Sequence, residues 1–506
     1  MASEPDFSVF ARGYELGQAQ VVYTRRVADL ETPVSAFLKL GEGRDNAFLF
    51  ESVQGGEARG RYSIIGLKPD LIWRCRDGKA EINRNARANA DKFVPQSQAP
   101  IAALRALIGE CRMTLPPGLP PMASALFGYL GYDMVRLIEK LPDVPADPLG
   151  LPDAILLRPT IVAIFDTVRD EILIVTPVWP EKGVDARAAY ARATERLSDT
   201  IDDLERPAPA APPVPENLPA FSAIESNTTH DEYLAIVERA KEYIRAGDVF
   251  QVVPSQRFRR PFTLPPFSLY RALRRLNPSP FLYNLAFPGF SIVGSSPEIL
   301  VRLRDGVVTI RPIAGTRPRG KTADEDKALA EELMSDPKER AEHLMLVDLG
   351  RNDVGRVAKT GEVKVTDSFF IERYSHVMHL VSNVEGKIRD GLDAIDALSA
   401  GLPAGTLSGA PKIRAMQIID EFEKEKRGAA YAGAVGYFAA DGSMDTCIVL
   451  RTALVKDGVM YVQAGGGVVT DSVPEAEYQE TVNKAAALMR AAEEAVRFAT
   501  ASKRGQ

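Results

Sequence analysis

The sequence predicts an α+β fold in which stacked β-sheets are flanked by helices. Short apolar and β-branched runs that are typical of strands recur along the chain, from NAFLFESV (residues 46–53) to MYVQ (residues 460–463). Helical patterns stand at both ends of the strand-rich stretches, and a single proline-rich segment divides the chain. Many strands with helices beside them favour a layered α+β protein over a helical bundle.

The proline-rich segment is the clearest boundary in the sequence. It reads RPAPAAPPVPENLPA over residues 206–220, and its six prolines favour extended polyproline geometry because they lack a backbone donor. We therefore predict an N-terminal domain over residues 1–205, a linker over residues 206–220 and a C-terminal domain over residues 221–506. Just beyond the linker, the spacing of Thr229 and Glu232 predicts a capping box at the start of a helix.

The composition indicates a cytoplasmic protein with neither nucleic acid nor membranes as partners. The 506 residues include 62 basic and 68 acidic ones, giving a net charge of −6, which argues against a nucleic-acid partner. The three cysteines, Cys75, Cys111 and Cys447, form no C-x-x-C pair, as expected in a reducing compartment. The N-terminus lacks the apolar core of a signal peptide, and no apolar run is long enough to span a bilayer.

Two predicted helices each carry a pair of glutamates three residues apart. The first begins at Pro337 and places Glu339 and Glu342 on one face, with Leu344, Leu346 and Val347 expected to point inward. The second begins near Pro474 and aligns Glu477, Glu480 and Lys484. One such pair is usually a solvated helix face, but two rigid pairs brought together could hold a hard cation such as Mg²⁺.

Glycines follow two of the predicted strands. The strand over residues 307–313 is expected to end in a bend at Ala314, Gly315 and Thr316, where the glycine lets the backbone approach a ligand. The strand VMYVQ is followed by Gly465, Gly466 and Gly467. Three glycines in a row can expose consecutive N–H groups to a carboxylate, although a flexible hairpin is the alternative.

Seven motifs in this order resemble the chorismate-utilising enzymes, and most of all the large subunits of anthranilate synthase. They are PIAGTRPRG, AEHLMLVDLGRND, RYSHVMHLVSNVEG, AGTLSGAPKIRAMQIIDE, GAVGYF, DTCIVLRTA and QAGGGVVTDSVPEAEYQETVNKA. The resemblance covers residues 229–489, with a fainter one over residues 33–178. It implies a two-lobed β-sandwich core flanked by helices. It also implies a carbon–oxygen lyase that converts chorismate and ammonia to anthranilate and pyruvate, the first committed step of tryptophan biosynthesis.

The resemblance assigns expected roles to residues that the motifs contain. Glu342 and Glu480 would hold Mg²⁺, with Glu339 and Glu477 binding it directly or through water. Arg451 would bind the second carboxylate of chorismate, since a guanidinium can donate two parallel hydrogen bonds to a carboxylate. The remaining expected contacts to this carboxylate come from Tyr431, the backbone of Gly465, Gly466 and Gly467, and Lys484.

Three further residues match positions with catalytic roles in the family. Glu298 matches the general acid that protonates the departing C4 hydroxyl, and this role requires a raised pKa. His379 alternates with two valines and by pattern alone is a core histidine, but the family motif places it in the active site, with a role in pyruvate elimination. Thr406, Gly315 and Thr316 match positions that line the substrate pocket.

Two positions distinguish this chain from related enzymes. Gln251 stands where isochorismate and salicylate synthases have a lysine that activates water. Ala314 stands where aminodeoxychorismate synthases typically have a lysine that can form a covalent adduct. Both residues favour anthranilate synthase, and Ala314 argues against aminodeoxychorismate synthase, the nearest alternative enzyme. An alternative of another class is a protein without catalytic activity that senses tryptophan or serves as a scaffold for a glutaminase.

The resemblance also predicts partners and regulation. None of the three cysteines has the surroundings of a catalytic nucleophile, so a separate glutamine amidotransferase subunit is expected, in a heterotetramer of two large and two small subunits. Ser52 and the run Pro280, Phe281 and Leu282 resemble the two halves of the family's tryptophan site, with L-tryptophan as an inhibitor. The family more often has tyrosine and methionine where this chain has Phe281 and Leu282. Packing between lobes is the alternative role for these residues.

Overall fold

The computed structural model describes residues 3–54, 58–209, 224–374, 377–428 and 430–501. Residues 210–220 of the predicted linker lie outside these ranges. Among the described residues no helix is long and apolar enough to cross a membrane. The helices are α1 (Phe7–Glu15), α2 (Pro33–Leu40), α3 (Pro100–Glu110), α4 (Ala186–Glu205), α5 (His230–Ala246), α6 (Pro266–Leu276), α7 (Ala323–Ser335), α8 (Pro337–Gly355), α9 (Ala394–Gly401), α10 (Lys412–Phe422) and α11 (Pro474–Ala501).

Local sequence determines where several of these helices begin and end. The predicted capping box at α5 is present, because Thr229 and Glu232 each bond the backbone of the other, and Gly247 ends the helix with a φ of 84°. At α8 the Asp336 side chain accepts the N–H groups of Lys338 and Glu339. These caps fix the first turns of two helices that lie beside the candidate site.

The strands supply most of the core. They are β1 (Gln20–Val27), β2 (Ala47–Gln54), β3 (Ala58–Arg76), β4 (Lys79–Asn83), β5 (Val94–Pro95), β6 (Ala125–Leu130), β7 (Ala154–Asp166), β8 (Glu171–Val178), β9 (Glu225–Ser226), β10 (Gln251–Val252), β11 (Ser255–Pro261), β12 (Phe281–Phe287), β13 (Phe290–Ser296), β14 (Ile299–Arg304), β15 (Val307–Ile310), β16 (Ile313–Pro318), β17 (Lys364–Arg373), β18 (Val377–Lys387), β19 (Gly409–Ala410), β20 (Ala434–Ala439), β21 (Met444–Ile448), β22 (Thr452–Lys456) and β23 (Val459–Gly465).

The strand pairings define two antiparallel sheets that share their two longest strands. The first sheet has the order β1-β8-β7-β3-β2-β12-β13-β22-β23-β11-β9. The second has the order β5-β4-β3-β7-β6-β20-β21-β14-β15-β18, with β16 and β17 also paired to β18. The first half of β3 and the second half of β7 belong to the first sheet. The other half of each strand belongs to the second sheet.

The two sheets stack face to face, with helices on the outer faces. One cluster of buried side chains, including Phe48, Phe127 and Tyr283, fills the space between the sheets. A second cluster packs α1, α2, α4, α6 and α11 on the first sheet, and a third packs α3, α8 and α9 on the second. Alternate residues of one strand enter different clusters, as with Phe48 and Leu49, because side chains alternate across a pleated strand. The predicted α+β sandwich flanked by helices is therefore confirmed.

Strands from both sides of the predicted linker pair with each other. Residues 47–52 of β2 pair with residues 281–286 of β12, and β6 pairs with β20. The two sheets are therefore each built from the N-terminal and the C-terminal parts of the chain. The division into domains at residues 206–220 stays a prediction.

Three local expectations need correction. Residues 314–316 form no terminal bend but lie inside β16, where the register shifts at Gly315 with a φ of 61°, because a bulge accommodates the left-handed glycine. The strand expected over residues 307–313 is broken into β15 and β16, since Pro312 cannot donate to a ladder. Leu344 is 52% exposed rather than inward, whereas Leu346 and Val347 are buried as expected.

Candidate active site

Glu298 is a buried carboxyl group in the two-residue connection between β13 and β14. Its exposure is 8%, and burial raises its pKa to about 8 from an ordinary value of 4.5. The Thr406 hydroxyl and the Arg451 guanidinium oppose this rise in pKa, so both lie close to the carboxyl group. Within the described residues, the buried Thr406 hydroxyl forms no well-aligned hydrogen bond. At neutral pH the Glu298 carboxyl group is therefore mostly protonated.

Arg451 lies where the chain crosses from one sheet to the other. The strand that precedes it ends at Ile448, and β22 begins at Thr452 in the other sheet. Its backbone is left-handed, with a φ of 48°. Burial lowers the pKa of its guanidinium, while Tyr374 and Glu298 raise it. Among the described residues this guanidinium has neither a salt bridge nor a hydrogen bond, so it is available to an anion.

His379 on β18 is held in one orientation. Its Nδ1 lies 2.9 Å from the Gly315 carbonyl oxygen and 3.2 Å from the Thr316 hydroxyl. Because a carbonyl can only accept, Nδ1 carries the proton and Nε2 has a free lone pair. Nε2 is buried without a partner among the described residues. Burial lowers the pKa of His379 to about 4, so the ring is neutral and can accept a proton through Nε2.

The four predicted metal-binding glutamates lie near one another, on α8 and α11. The pKa of Glu342 is raised by burial and by the negative charges of Glu339 and Glu480. The pKa of Glu477 is raised by burial and by Glu480. Carboxylates that raise the pKa of Glu342 or Glu477 are close enough to repel it, and a bound cation would relieve that repulsion.

Two of these carboxylates form ion pairs with basic side chains. Lys484 donates to Glu480 at 2.7 Å and to the Gly465 carbonyl at 3.0 Å, and Arg317 pairs with Glu339 at 3.1 Å. Over the described ranges no three acidic, histidine or cysteine side chains form a complete metal-binding group. Glu339 and Glu480 are therefore each paired with a basic side chain.

The donor set nevertheless fits Mg²⁺ in its chemistry. All four side chains offer carboxylate oxygens, which this cation prefers. The backbone leaves room for them, because a Cβ on Gly315 would stand 2.9 Å from Glu339 Oε2 and a Cβ on Gly466 would stand 2.9 Å from Glu477 Oε2. Both glycines therefore lie against glutamate carboxylates, which a side chain at either position would displace.

The glycine run closes one side of the site, but it is less free than expected. The Gly466 N–H donates to the Pro254 carbonyl at 3.2 Å, and Gly465 is the last residue of a paired strand. The run therefore does not offer three consecutive free N–H groups. Tyr431 lies beside it, with a hydroxyl 2.9 Å from the position of a Cβ on Gly465, and burial raises its pKa to about 12.

Two residues beyond the predicted site residues also belong to this region. Tyr374 contacts the His379 ring edge to face, with centroids 5.4 Å apart, and its position inside the motif RYSHVMH could have indicated this. Gln251, singled out only as a marker of reaction type, is buried against the glycine run. Its Nε2 lies 2.5 Å from the position of a Cβ on Gly467, and its Oε1 has no partner among the described residues.

The predicted tryptophan-site residues line one cavity between the two sheets. Ser52 on β2 pairs in register with Phe281 on β12, and both line a cavity of about 610 Å³ with Pro280 and Leu282. Arg311 and Glu372 also line it. Glu372 accepts a hydrogen bond from the Tyr374 hydroxyl at 3.1 Å, and the Tyr374 ring contacts His379. Tyr374 therefore connects the lining of this cavity with His379.

Comparisons with known proteins agree with this arrangement. The family described as chorismate binding enzyme matches residues 46–490. The chain is 61% identical to anthranilate synthase component 1 of Cereibacter sphaeroides, over 97% of this chain and 98% of the relative. It is 48% identical to the component 1 of Aquifex aeolicus, over 93% and 94% of the two chains.

Solved structures match as well. Anthranilate synthase component I from Streptococcus pneumoniae superposes with a TM-score of 0.74 at 36% identity, covering 92% of this chain and 98% of that one. The menaquinone-specific isochorismate synthase of Escherichia coli superposes with a TM-score of 0.71 at 19% identity, covering 96% and 100%. The second match shows a shared fold alone.

Proposed function

The chain belongs to the family of chorismate-binding enzymes, and from that premise we propose that it is the chorismate-converting component of an anthranilate synthase. It converts chorismate and ammonia to anthranilate, pyruvate and water. The observation that carries this function is that the buried, protonated carboxyl group of Glu298 lies near the Arg451 guanidinium, which has no salt bridge among the described residues. Such a pair suits a substrate that has a carboxylate to be held and a hydroxyl to be protonated.

The first step replaces the C4 hydroxyl of chorismate. Glu298 gives its proton to this hydroxyl, which leaves as water while the ring double bonds shift and ammonia attacks C2. The ammonium group formed at C2 then loses one proton, so that the step consumes no net proton. Arg451, Tyr431, Lys484 and the glycine run hold one carboxylate. Glu342 and Glu480, with Glu339 and Glu477, would hold Mg²⁺, and the bound cation would supply charge stabilisation at the ring carboxylate. Thr406, Gly315 and Thr316 shape the pocket around the ring.

The second step removes pyruvate from 2-amino-2-deoxyisochorismate. The C3–O bond breaks, its electron pair leaves with the enolpyruvyl group, and the C2 proton must be accepted as the ring becomes aromatic. His379 suits this role, because its neutral ring is anchored through Nδ1 to Gly315 and its Nε2 is free.

Ala314 and Gln251 argue against the related reactions. Ala314 is 8% exposed and has no amine that could form an adduct, which disfavours aminodeoxychorismate synthase. Gln251 is a poor base, so it does not activate water in place of ammonia. A scaffold without activity is disfavoured by the buried Glu298 and the half-buried Arg451. Two ionisable groups that lack an ion-pair partner among the described residues would destabilise a protein that has no substrate to bind.

A separate glutaminase subunit fits the cysteines of this chain. All three are buried, and burial raises the pKa of each thiol, for Cys75 to about 12. A thiol with a raised pKa is a poor nucleophile, so ammonia must come from another chain. We expect a heterotetramer of two large and two small subunits, located in the cytoplasm, where free thiols persist.

L-Tryptophan is the effector that the cavity between the sheets would suit. The cavity has a volume of about 610 Å³, which accommodates an amino acid of this size. Phe281 and Leu282 form an apolar wall for an indole ring. Occupancy of the cavity would inhibit by favouring an arrangement of the two sheets in which Glu298 is misplaced.

The decisive experiment is an assay of the purified chain alone. Chorismate, MgCl₂ and ammonium at alkaline pH should give anthranilate fluorescence that is lost with EDTA and restored by excess Mg²⁺. Unchanged chorismate would contradict the proposed reaction. A product that retains the amine at C4 would instead favour aminodeoxychorismate synthase, and isochorismate would show that Gln251 permits attack by water.

A further inference from the structure

Arg427 is a fully buried arginine in the segment between α10 and β20. Its side chain is 1% exposed and pairs with Glu423, whose side chain is 6% exposed. Burial lowers the pKa of the guanidinium, but Glu423 and the other groups around it raise this pKa more, so Arg427 keeps its charge. A buried ion pair adds little net stability, because removing both charges from water offsets their attraction. The other contacts of Arg427 therefore indicate what the pair does.

All three guanidinium nitrogens of Arg427 donate hydrogen bonds within the protein. Nη1 donates to the Leu407 carbonyl at 2.6 Å, and Nη2 donates to the Val253 carbonyl at 2.6 Å. Nη2 also donates to Glu423 at 2.8 Å, and Nε donates to the two oxygens of the same carboxylate at 3.2 and 3.0 Å. The guanidinium is planar, so these bonds hold two distant backbone segments in one fixed geometry.

Both of these carbonyls lie close in sequence to residues of the candidate active site. Leu407 directly follows Thr406, which lies close to the Glu298 carboxyl group. Val253 is two residues beyond Gln251, which packs against the glycine run. Because one side chain bonds both carbonyls, it fixes the Thr406 segment and the strand after Gln251 relative to each other.

The Arg427 guanidinium also lies between two tyrosine rings. Its central carbon is 4.8 Å from the centre of the Tyr132 ring and 5.5 Å from the centre of the Tyr431 ring. An aromatic face attracts a cation, most strongly where water is excluded. Tyr431 is an expected contact of one carboxylate of chorismate, so Arg427 supports the ring of a substrate-binding residue.

Glu423 extends these contacts to the glycine run. Its carboxylate accepts hydrogen bonds from the N–H and the hydroxyl of Ser255, both at 2.8 Å. Ser255 pairs in register with Gly465, the first glycine of the run. The ion pair of Arg427 and Glu423 therefore connects four parts of the candidate active site that are far apart in sequence.

We propose that Arg427, with Glu423 as its partner, is a positioning residue of the reaction. It holds the Thr406 segment, the strand after Gln251 and the Tyr431 ring in the arrangement that chorismate requires, before chorismate binds. Arg427 acts through these groups and is not itself a catalytic residue, because each guanidinium nitrogen already donates to the protein. The inference rests on the proposed function, since it concerns the site of that reaction.

Arg427→Lys tests this role with the positive charge retained. An ammonium group can pair with Glu423, but it cannot also bond two carbonyls in the geometry of the guanidinium. With ammonium as the nitrogen source, we expect kcat/KM for chorismate to fall by about tenfold to 100-fold, because a displacement of about 1 Å costs on the order of 100-fold. KM should rise because Tyr431 is displaced, and kcat should fall because Thr406 is displaced.

Arg158→Lys is the matched control. Arg158 on β7 has a side chain that is 14% exposed, and it donates to the two carboxylate oxygens of Asp70, each at 2.8 Å. The control therefore loses charged hydrogen bonds of the same kind in the N-terminal part of the chain. It should lower the melting temperature and leave kcat and KM unchanged. An equal loss of activity in both variants would overturn the inference.

The pH dependence of kcat separates positioning from a general loss of structure. Burial raises the pKa of Glu298 and Thr406 opposes this rise, so displacing Thr406 raises the pKa further. Glu298 then stays protonated to a higher pH. At a constant concentration of neutral ammonia, the alkaline limb of kcat should move to higher pH in Arg427→Lys and stay in place in Arg158→Lys. A limb that stays in place in Arg427→Lys overturns the inference.

Glu423→Gln replaces Arg427→Lys if the latter does not fold. Glutamine still accepts from Ser255 but no longer neutralises Arg427, so kcat/KM should fall by roughly tenfold, the effect of one weakened charged hydrogen bond. The alkaline limb should move in the same direction, and unchanged kinetics in this variant would count against the positioning role. A wild-type chain that forms no anthranilate from ammonium contradicts the proposed function itself, and the role of Arg427 with it.

Discussion

Individual residues of the site are arranged for a ligand rather than for stability. The half-buried Arg451 side chain has no ion-pair partner among the described residues, and burial keeps the Glu298 carboxyl group beside it protonated. Taking a charge out of water costs several kcal/mol unless a partner compensates. A dianionic substrate would supply that partner. The free energy of unfolding that the site sacrifices would then be recovered as free energy of binding.

Glu298→Gln should remove both the proton donor and a pH dependence of stability. Activity should fall by more than about 100-fold, because general acid catalysis is lost. The folded-state pKa of about 8 lies above the ordinary 4.5, so the wild type is stabilised below pH 4.5 and loses this stability as the pH rises through about 8. Thermal denaturation from acid to alkaline pH measures this loss as the difference between wild type and variant.

The variant itself provides the control for this prediction. Glutamine cannot ionise, so the difference in melting temperature between wild type and Glu298→Gln isolates one carboxyl group from all other titrations. The difference should change in favour of the variant as the pH rises. A difference that is constant over this range would mean that Glu298 ionises at its ordinary pKa and cannot be the acid.

At the scale of elements, two helices bring four carboxylates to one place. The first turn of α8 is fixed by Asp336, which accepts two backbone N–H groups and pairs with Arg317 at 2.9 Å. Arg317 also pairs with Glu339, and so it holds this carboxylate at the start of the helix. On α11, Lys484 is one turn beyond Glu480 and pairs with it. The pairs with Arg317 and Lys484 partly neutralise the acidic cluster when no cation is bound.

Glu342→Gln should raise the melting temperature of the protein without Mg²⁺. It should also reduce the increase in melting temperature that Mg²⁺ causes. The pKa of Glu342 is raised by burial and by the charges of Glu339 and Glu480, so removing its charge relieves repulsion near neutral pH. Activity should fall by more than about 100-fold, since charge stabilisation by the cation is lost. Melting temperatures with and without MgCl₂ measure both effects.

Glu331→Gln on α7 is a suitable control, because Glu331 is an exposed helical glutamate with only a weak pair to Lys327. Mg²⁺ should raise the melting temperature of the wild type and of this control alike, as a ligand of the folded state does. An equal Mg²⁺ response in Glu342→Gln would exclude Glu342 as a metal ligand.

At the scale of the whole molecule, the cavity between the sheets and the candidate active site lie on either side of the connection between β13 and β14. Pro297 lines the cavity between the sheets, while the next residue, Glu298, lies against Thr406. The same cavity is lined by strands of both sheets. A ligand there would alter how the sheets pack, and the position of Glu298 depends on that packing.

Ser52→Met should abolish a response to tryptophan and leave ammonium-driven activity intact. The larger side chain enters the cavity beside Phe281 and takes the space of the effector. In the wild type, tryptophan should raise the melting temperature and inhibit anthranilate formation. Titration calorimetry and the fluorescence assay measure binding and inhibition separately. A wild type that binds no tryptophan would contradict the assignment of this cavity.

Much of the fold could be predicted from local patterns. The capping box of Thr229 and Glu232, the start of α8 at Pro337 and the alternation along β2 are set by residues a few positions apart. The errors arose where distant strands decide the outcome. Gly315 was expected in a bend, but pairing with β18 holds it in a bulge inside a strand. Leu344 was expected inward, yet the width of the buried face of α8 depends on what packs against it.

The sequence by itself determined the order of elements, the two glutamate pairs, and the motifs that carry Glu298, His379 and Arg451. Only the tertiary structure decided that these residues, more than 150 positions apart at the extremes, have shared surroundings. It also decided that Glu298 is protonated, that Nε2 of His379 has no partner among the described residues, and that Gln251 packs against Gly467. The reason is physical: a pKa or an unpaired atom depends on burial and neighbours, which local sequence does not contain.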